Sequence, residues 1–256
     1  MELFDAGFIG AGNMGGALLD AVLKSTRIVA VYDTDEAKAK SKNARYMTAD
    51  ALAASCHYVF LGVKPDVVKT VAGSVRSCIK NFTVLVSMAA GISTDTLSEL
   101  FGTKKIIRIM PNTPAAVGEG LILYAPASGI TEAEEEEFTE LMKFSGKVVK
   151  LSEDKMDAGM AVSGCGPAYV YIFCEALADG AVKCGLPRDK ALLFAEQTIL
   201  GSARMLLESG KHPGELKDAV CSPGGTTIEG VLALENGAFR GTVSKAVTAA
   251  YDRLKK

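Results

Sequence analysis

The 256-residue sequence has no tryptophan and only two histidines, His57 and His212. Its six cysteines (Cys56, Cys78, Cys165, Cys174, Cys184 and Cys221) are scattered, and none falls in a C-x-x-C spacing. That pattern argues against a zinc site or a redox pair, and reads most simply as free thiols in a reducing cytoplasm. No metal site is expected. Charge of one sign is also missing: 28 Lys and Arg stand against 30 Asp and Glu, a formal net charge of -2. A nucleic-acid partner would call for a basic footprint, so none is expected. The longest uncharged stretch, Ala158 to Cys174, is interrupted by Ser163-Gly164-Cys165-Gly166-Pro167. It is shorter than the roughly 20 apolar residues that span a bilayer. Met1-Glu2-Leu3-Phe4-Asp5 carries acidic residues where a secretory signal carries basic ones. These absences together predict a cytoplasmic protein with no membrane partner.

What is present is ordinary globular composition, 48% hydrophobic and 23% charged, with glycine high at 26 residues. Many glycines suggest backbone passing close to a ligand or through tight turns. The length suits one large domain or two modest ones.

Two halves differ in pattern. Runs at Asp5–Ile9, Ile28–Tyr32, Tyr58–Val63, Thr83–Ser87, Ile106–Met110, Leu121–Tyr124 and Lys147–Leu151 read as strands, most of them continuously apolar as expected where both faces are covered. Helical segments such as Met14–Lys24, Asp66–Ser77 and Glu132–Phe144 lie between them. Alternating β and α segments predict an α/β domain over residues 1–151, a doubly wound, mainly parallel, Rossmann-like sheet. From Ser152 strand-like runs stop, and residues 152–256 read as all-helical: Ala168–Cys184, Arg188–Ser209, Ile228–Leu234 and Ala238–Leu254. Runs such as Ala191-Leu192-Leu193-Phe194-Ala195 are apolar over more than one face. A domain of about 100 residues cannot bury that many faces internally, so a subunit interface is expected.

Gly10-Ala11-Gly12-Asn13-Met14-Gly15 places G-x-G-x-x-G directly after a strand and before a helix. Its glycines permit a tight turn, close approach to a pyrophosphate and close helix–strand packing, with the anion at the helix N-terminus. A dinucleotide is the expected cofactor. Asp33 ends the second strand about 20 residues on, where a carboxylate accepts from a ribose hydroxyl and repels a 2′-phosphate. This leans toward NADH over NADPH, although Asp33 to Glu36 also suits a helix cap and Lys38, Lys40 and Lys42 would attract a phosphate. Val63-Lys64-Pro65 and Met88-Ala89-Ala90-Gly91 follow strands on the same edge. Lys64 suits a phosphate or a backbone-positioning role.

In the second half, Ser222-Pro223-Gly224-Gly225-Thr226-Thr227-Ile228-Glu229 is unusual. Thr226-x-x-Glu229 has the spacing of a capping box, and the paired glycines keep the approach clear. Exposed N–H groups and hydroxyls there suit a small carboxylate. His57 and His212 read as local structure, and Glu134 to Glu137 as a solvated helix face.

With Gly10 to Gly15, Val63-Lys64-Pro65, Arg108-Ile109-Met110-Pro111-Asn112-Thr113-Pro114, Ser163 to Tyr169 and Asp218 to Glu229 in this order, the sequence resembles pyrroline-5-carboxylate reductases over nearly its whole length. The resemblance implies NAD(P)H-dependent reduction of 1-pyrroline-5-carboxylate to L-proline, by hydride transfer to a cyclic imine. It also implies a helical domain that interleaves into a homodimer, and dimers that build rings. Position by position, substrate contacts fall on Ser222, Gly225, Thr226 and Thr227, with the acidic residue near the substrate on Glu153. Coenzyme contacts fall on Gly10, Ala11, Gly12, Asn13, Met14, Val63, Lys64 and Ala90. Thr227 and Glu153 are the catalytic candidates. Cys165 and Cys221 depart from the family's usual Ser and Thr or Ser, and Ala49 and Ala219 stand where some members have Asn. A reductase of similar layout acting on a hydroxy acid, and a non-catalytic dinucleotide sensor, are the competing readings.

Overall fold

Gly10 and Gly62 each end a strand, and the two strands lie side by side at the centre of an eight-stranded sheet. The computed structural model describes residues 3–25 and 27–255, so Met1 and Glu2 of the N-terminal reading fall outside it. The strands are β1 (Phe4–Ile9), β2 (Val29–Tyr32), β3 (Arg45–Tyr46), β4 (Cys56–Leu61), β5 (Val84–Ser87), β6 (Ile106–Met110), β7 (Gly120–Pro126) and β8 (Gly146–Lys150). Their order is β3-β2-β1-β4-β5-β6-β7-β8, parallel throughout except for the antiparallel pair β6 and β7. Strand order reverses between β1 and β4, which is where such sheets open a ligand crevice at their carboxyl ends.

Packing divides the chain into two units at Gly164 and Cys165. In the first, α1 (Asn13–Leu23), α2 (Glu36–Lys40), α3 (Ala49–Ser55), α4 (Val68–Val75), α5 (Thr94–Phe101), α6 (Glu132–Leu141) and α7 (Met156–Ser163) accompany the sheet. Because sheet side chains alternate between faces, β1 sends Ala6 and Phe8 to one buried cluster and Ile9 to another. Phe8 and Phe60, paired in register, stack with ring centroids 4.4 Å apart. Helix α1 buries Leu18, Leu19 and Val22 on the first of these clusters.

Several expected elements are divided. The helix expected over Asp66–Ser77 is α4 flanked by 3-10 turns at Pro65–Val67 and Arg76–Cys78. Helix α6 stops at Leu141, and a 3-10 turn at Lys143–Ser145 leads into β8. The two-residue β3 has too little sequence to show a period.

The second unit holds α8 (Gly166–Lys183), α9 (Arg188–Ser209), α10 (Pro213–Ala219), α11 (Thr226–Asn236) and α12 (Phe239–Leu254). Helices α8 and α9 meet through Ala178, Ala191 and Ala195, its only fully buried hydrophobic side chains among the described residues. Small residues let two backbones approach closely but bury little apolar surface. Tyr171, Ile172, Leu200 and Leu207 are 58–78% exposed. Tyr169, Ile172, Phe173, Leu234, Phe239 and Val243 line an apolar cleft of about 390 Å³. One helical run, Glu153–Lys183, is long and apolar enough to cross a membrane by length and composition alone. Its uncharged core, Ala158 to Cys174, broken at Ser163 to Pro167, is shorter than the roughly 20 apolar residues that span a bilayer. Helix start α8 tolerates Pro167 in its first turn, so the run stays helical on both sides of the break.

Candidate active site

The glycine loop is built by mutual exclusion of side chains. Gly10 sits at φ +102°, a region that L side chains rarely adopt. A β-carbon on Gly10 would lie 2.5 Å from the Gly62 carbonyl oxygen, and one on Gly15 would lie 2.3 Å from the Gly10 carbonyl oxygen. Backbone therefore crosses backbone where β1, β4 and α1 converge. Gly12 differs: a β-carbon there would meet nothing within 4 Å. It is the N-cap of α1, no side chain caps it, and the first turn carries no acidic residue. Free N–H groups at an open, uncapped helix end are what a pyrophosphate requires, so Gly10, Ala11, Gly12, Asn13 and Met14 fit a dinucleotide. Gly62 was not among the residues singled out from the sequence. Its signal was slight, a lone glycine after an apolar strand.

Asp33 closes the loop from the end of β2. Its Oδ2 accepts from the Ala11 N–H at 2.7 Å and its Oδ1 from the Asp35 N–H at 2.9 Å. Asp35, not Asp33, caps α2 by accepting from the Lys38 N–H. Lys40 pairs with Glu36, and Lys42 with Asp20 at 2.6 Å.

Beyond the loop, Val63 lies against Gly10, and Lys64 is exposed at the start of the Pro65–Val67 turn. Ala90 packs with Met110, Leu123, Ala125 and Met156. Glu153 is drawn into the same region from the segment after β8. Its Oε1 accepts from the Thr94 N–H at 2.7 Å and its Oε2 from the Thr94 hydroxyl at 2.6 Å. Arg108 of β6 reaches Glu153 at 3.4 Å and Asp157 at 3.3 Å. Thr94 carried no signal in the sequence, and Arg108 entered only as part of a longer motif.

In the second unit, Ser222, Gly225, Thr226 and Thr227 share one turn. The Gly225 N–H donates to the Ser222 carbonyl at 3.0 Å, and Gly224 adopts φ +65°. Helix α11 begins at Thr226 with Gly225 as N-cap and no side-chain cap. The expected Thr226–Glu229 capping box is therefore absent. Placing glycine at the cap moves Thr226 into the helix, leaving the first N–H groups without a side-chain acceptor. Ser222, Thr226 and Thr227 are exposed.

His57 lies 3.5 Å from Glu137, and His212 caps α10 by accepting from the Gly214 N–H. The glutamate run is not a solvated face, because only Glu136 of it is exposed. Burial alone would raise Glu134, but hydrogen bonds from Lys105 and Thr131 outweigh it and hold its carboxyl below the ordinary value. Glu135 is held low in the same way by Lys150 and Tyr124. Tyr58 donates to the Glu134 carbonyl at 2.7 Å, and burial pushes its phenol up. Alternation in β4 turns Tyr58 inward beneath α6, a tertiary contact that local sequence does not reveal.

A family model for pyrroline-5-carboxylate reductase dimerisation matches residues 153–256, and one for NADP oxidoreductase, coenzyme F420-dependent, matches residues 5–91. The pyrroline-5-carboxylate reductase of Pisum sativum is 43% identical over 100% of this chain and 96% of its own. Among solved structures, the Plasmodium falciparum pyrroline carboxylate reductase with NADP bound is 34% identical, with a TM-score of 0.88 over 100% of this chain and 98% of that one. The Coxiella burnetii pyrroline-5-carboxylate reductase is 30% identical, with a TM-score of 0.92 over 99% and 98%.

Proposed function

The chain belongs to the pyrroline-5-carboxylate reductase family, and from that premise we propose how its residues divide the work of reducing 1-pyrroline-5-carboxylate to L-proline with NADPH or NADH. The dinucleotide, when bound, supplies the hydride. Gly10 to Met14 hold its pyrophosphate at the N-terminus of α1. Asp33 sets the loop through Ala11 and presents a negative charge where a 2′-phosphate would sit, which supports a lean to NADH. The pairing of Lys40 and Lys42 with acidic partners supports the same lean, though exposed pairs are weak. Val63, Lys64 and Ala90 line the nicotinamide half.

The Thr227 hydroxyl bonds the imine nitrogen. Backbone N–H groups of Gly225 to Thr227 hold the substrate carboxylate, with Ser222 in the same turn. The observation that carries this assignment is the glycine cap of α11, which leaves these donors without a competing side chain. A protonated cyclic imine is already electrophilic, so orientation matters more than a strong acid. Both Glu153 oxygens are engaged by Thr94, so the proton passes through water, and Glu153 acts by holding structure.

The exposed apolar faces of α8, α9, α11 and α12 are covered by a second copy, giving a homodimer, and rings form where dimers associate further. Six free thiols support a cytoplasmic location.

The test is coenzyme oxidation by purified protein, with NADH and NADPH in parallel. Turnover with pyrroline-5-carboxylate and none with keto-acid substrates is expected, and a higher kcat/KM with NADH. Turnover of the keto acids alone would move the substrate site to another chemistry.

A further inference from the structure

Arginine 108 is out of place by composition. Strand β6 reads Ile106-Ile107-Arg108-Ile109-Met110, and every residue in it is buried. The Arg108 side chain is 6% exposed. Its two terminal nitrogens reach Glu153 and Asp157, and its Nε finds no partner among the described residues. A buried ion pair is weak evidence for stability, because a well-packed apolar substitute often does as well. The guanidinium therefore calls for a reason other than holding the fold.

Its position supplies one. Glu153, which Arg108 reaches at 3.4 Å, accepts from Thr94 twice, at the backbone N–H and at the hydroxyl. Helix α5 does not need this grip as a cap, since Ser93 already caps it by accepting from the Thr96 N–H at 3.1 Å. What the grip does is fix the chain at Thr94. Four residues earlier, Ala90 is fixed by packing against Met110, Leu123, Ala125 and Met156. The turn between the two anchors carries Gly91 at φ +74°, and a β-carbon on Gly91 would meet nothing within 4 Å. A turn pinned at both ends and open at its tip is a preorganised surface.

We propose that Arg108 is a positioning residue for coenzyme binding: it aims Glu153 at Thr94 and so holds the Ala90-Gly91-Ile92-Ser93 turn against which the nicotinamide half lies. This rests on the assignment of Ala90 to the coenzyme site. Charge-assisted hydrogen bonds to a carboxylate are the strong ones, and losing the cation that orients the carboxylate loosens both at once.

The experiment combines amide exchange in the free protein with NADPH binding followed by nicotinamide fluorescence. Four variants are compared, Arg108→Met, Arg108→Lys, Thr94→Val and Ala90→Val. In Arg108→Met the Thr94 amide exchanges faster, NADPH binds about tenfold more weakly, on the scale of one charge-assisted hydrogen bond, and the KM for pyrroline-5-carboxylate stays within about twofold. Arg108→Lys restores part of the affinity. Thr94→Val is nearly isosteric and removes only the hydroxyl, so it decides the matter if Arg108→Met does not fold; about threefold weaker NADPH binding is expected there. Wild-type NADPH affinity in Thr94→Val and Arg108→Lys, or wild-type exchange at Thr94 in the arginine variants, overturns the proposal. Ala90→Val separates the two levels. Weakened binding in Ala90→Val with none in the other variants removes Arg108 alone. Unchanged binding in Ala90→Val removes the turn from the coenzyme site and the proposal with it.

Discussion

The two units of this chain solve the burial problem in opposite ways. The first wraps a sheet on both faces, and its core includes Phe8, Phe60, Tyr58 and Phe138 at 1% exposure or less. The second packs helices through three alanines and leaves its larger side chains on the outside. One unit buries its large apolar side chains within a single copy; the other leaves many of them exposed. That difference parallels what each is proposed to contribute, a coenzyme cradle from the first and an association surface with a substrate turn from the second.

The sharpest way to break this comparison is a pair of core truncations. Phe60→Ala in the first unit removes a stacked ring and is expected to cost about 3–5 kcal/mol, whatever the protein concentration. Ile172→Asp in the second unit is expected to cost about 2 kcal/mol or more in association. The Tm of the unsubstituted protein should itself fall on dilution, and the deficit caused by Ile172→Asp should shrink as both proteins approach dissociation, because association adds stability only while the partner is bound. Thermal melts over a range of concentrations read both. A Tm of the unsubstituted protein that does not move on dilution would mean that the helical unit is complete alone.

A smaller effect belongs to the first unit and to pH. Glu134 and Glu135 are held below their ordinary carboxyl values in the fold, so both contribute stability above the unfolded carboxylate pKa. That contribution is lost as pH falls through the lowered folded values. Melts taken downward from neutral pH should show Tm falling on the acid side, and Glu134→Gln with Glu135→Gln should flatten the slope. The smallest effect expected is in the second unit. Ala238 caps α12 at φ +53°, a left-handed conformation that costs a non-glycine residue about 1 kcal/mol. Ala238→Gly should raise Tm slightly, as differential scanning calorimetry would show.

Local chemistry made the first unit legible before its fold was known. Continuous apolar runs marked β1, β4, β5 and β6 to within two residues at each end, because strands covered on both faces need apolar residues throughout. The glycine loop was legible because steric exclusion leaves glycine no substitute at Gly10 and Gly15. What stayed hidden was tertiary. Thr94 has no local mark of its bond to Glu153, which lies 59 positions away. The glutamate run looked solvated because its partners Lys105, Tyr124 and Lys150 come from three other segments. The start of α11 was misplaced by a cap preference: Thr226 is a good cap, but the chain uses Gly225 and frees the threonines. That misreading concerned the residues now assigned to the substrate.

The central claim, that the helical unit supplies the substrate chemistry as well as the interface, is tested most directly by Thr227→Ala, with coenzyme affinity and turnover measured on the same preparation. Unchanged NADPH and NADH binding is expected, with kcat/KM for pyrroline-5-carboxylate lower by tens-fold or more, about the scale of one lost transition-state hydrogen bond. Wild-type turnover in that variant would contradict it and return the helical unit to association alone.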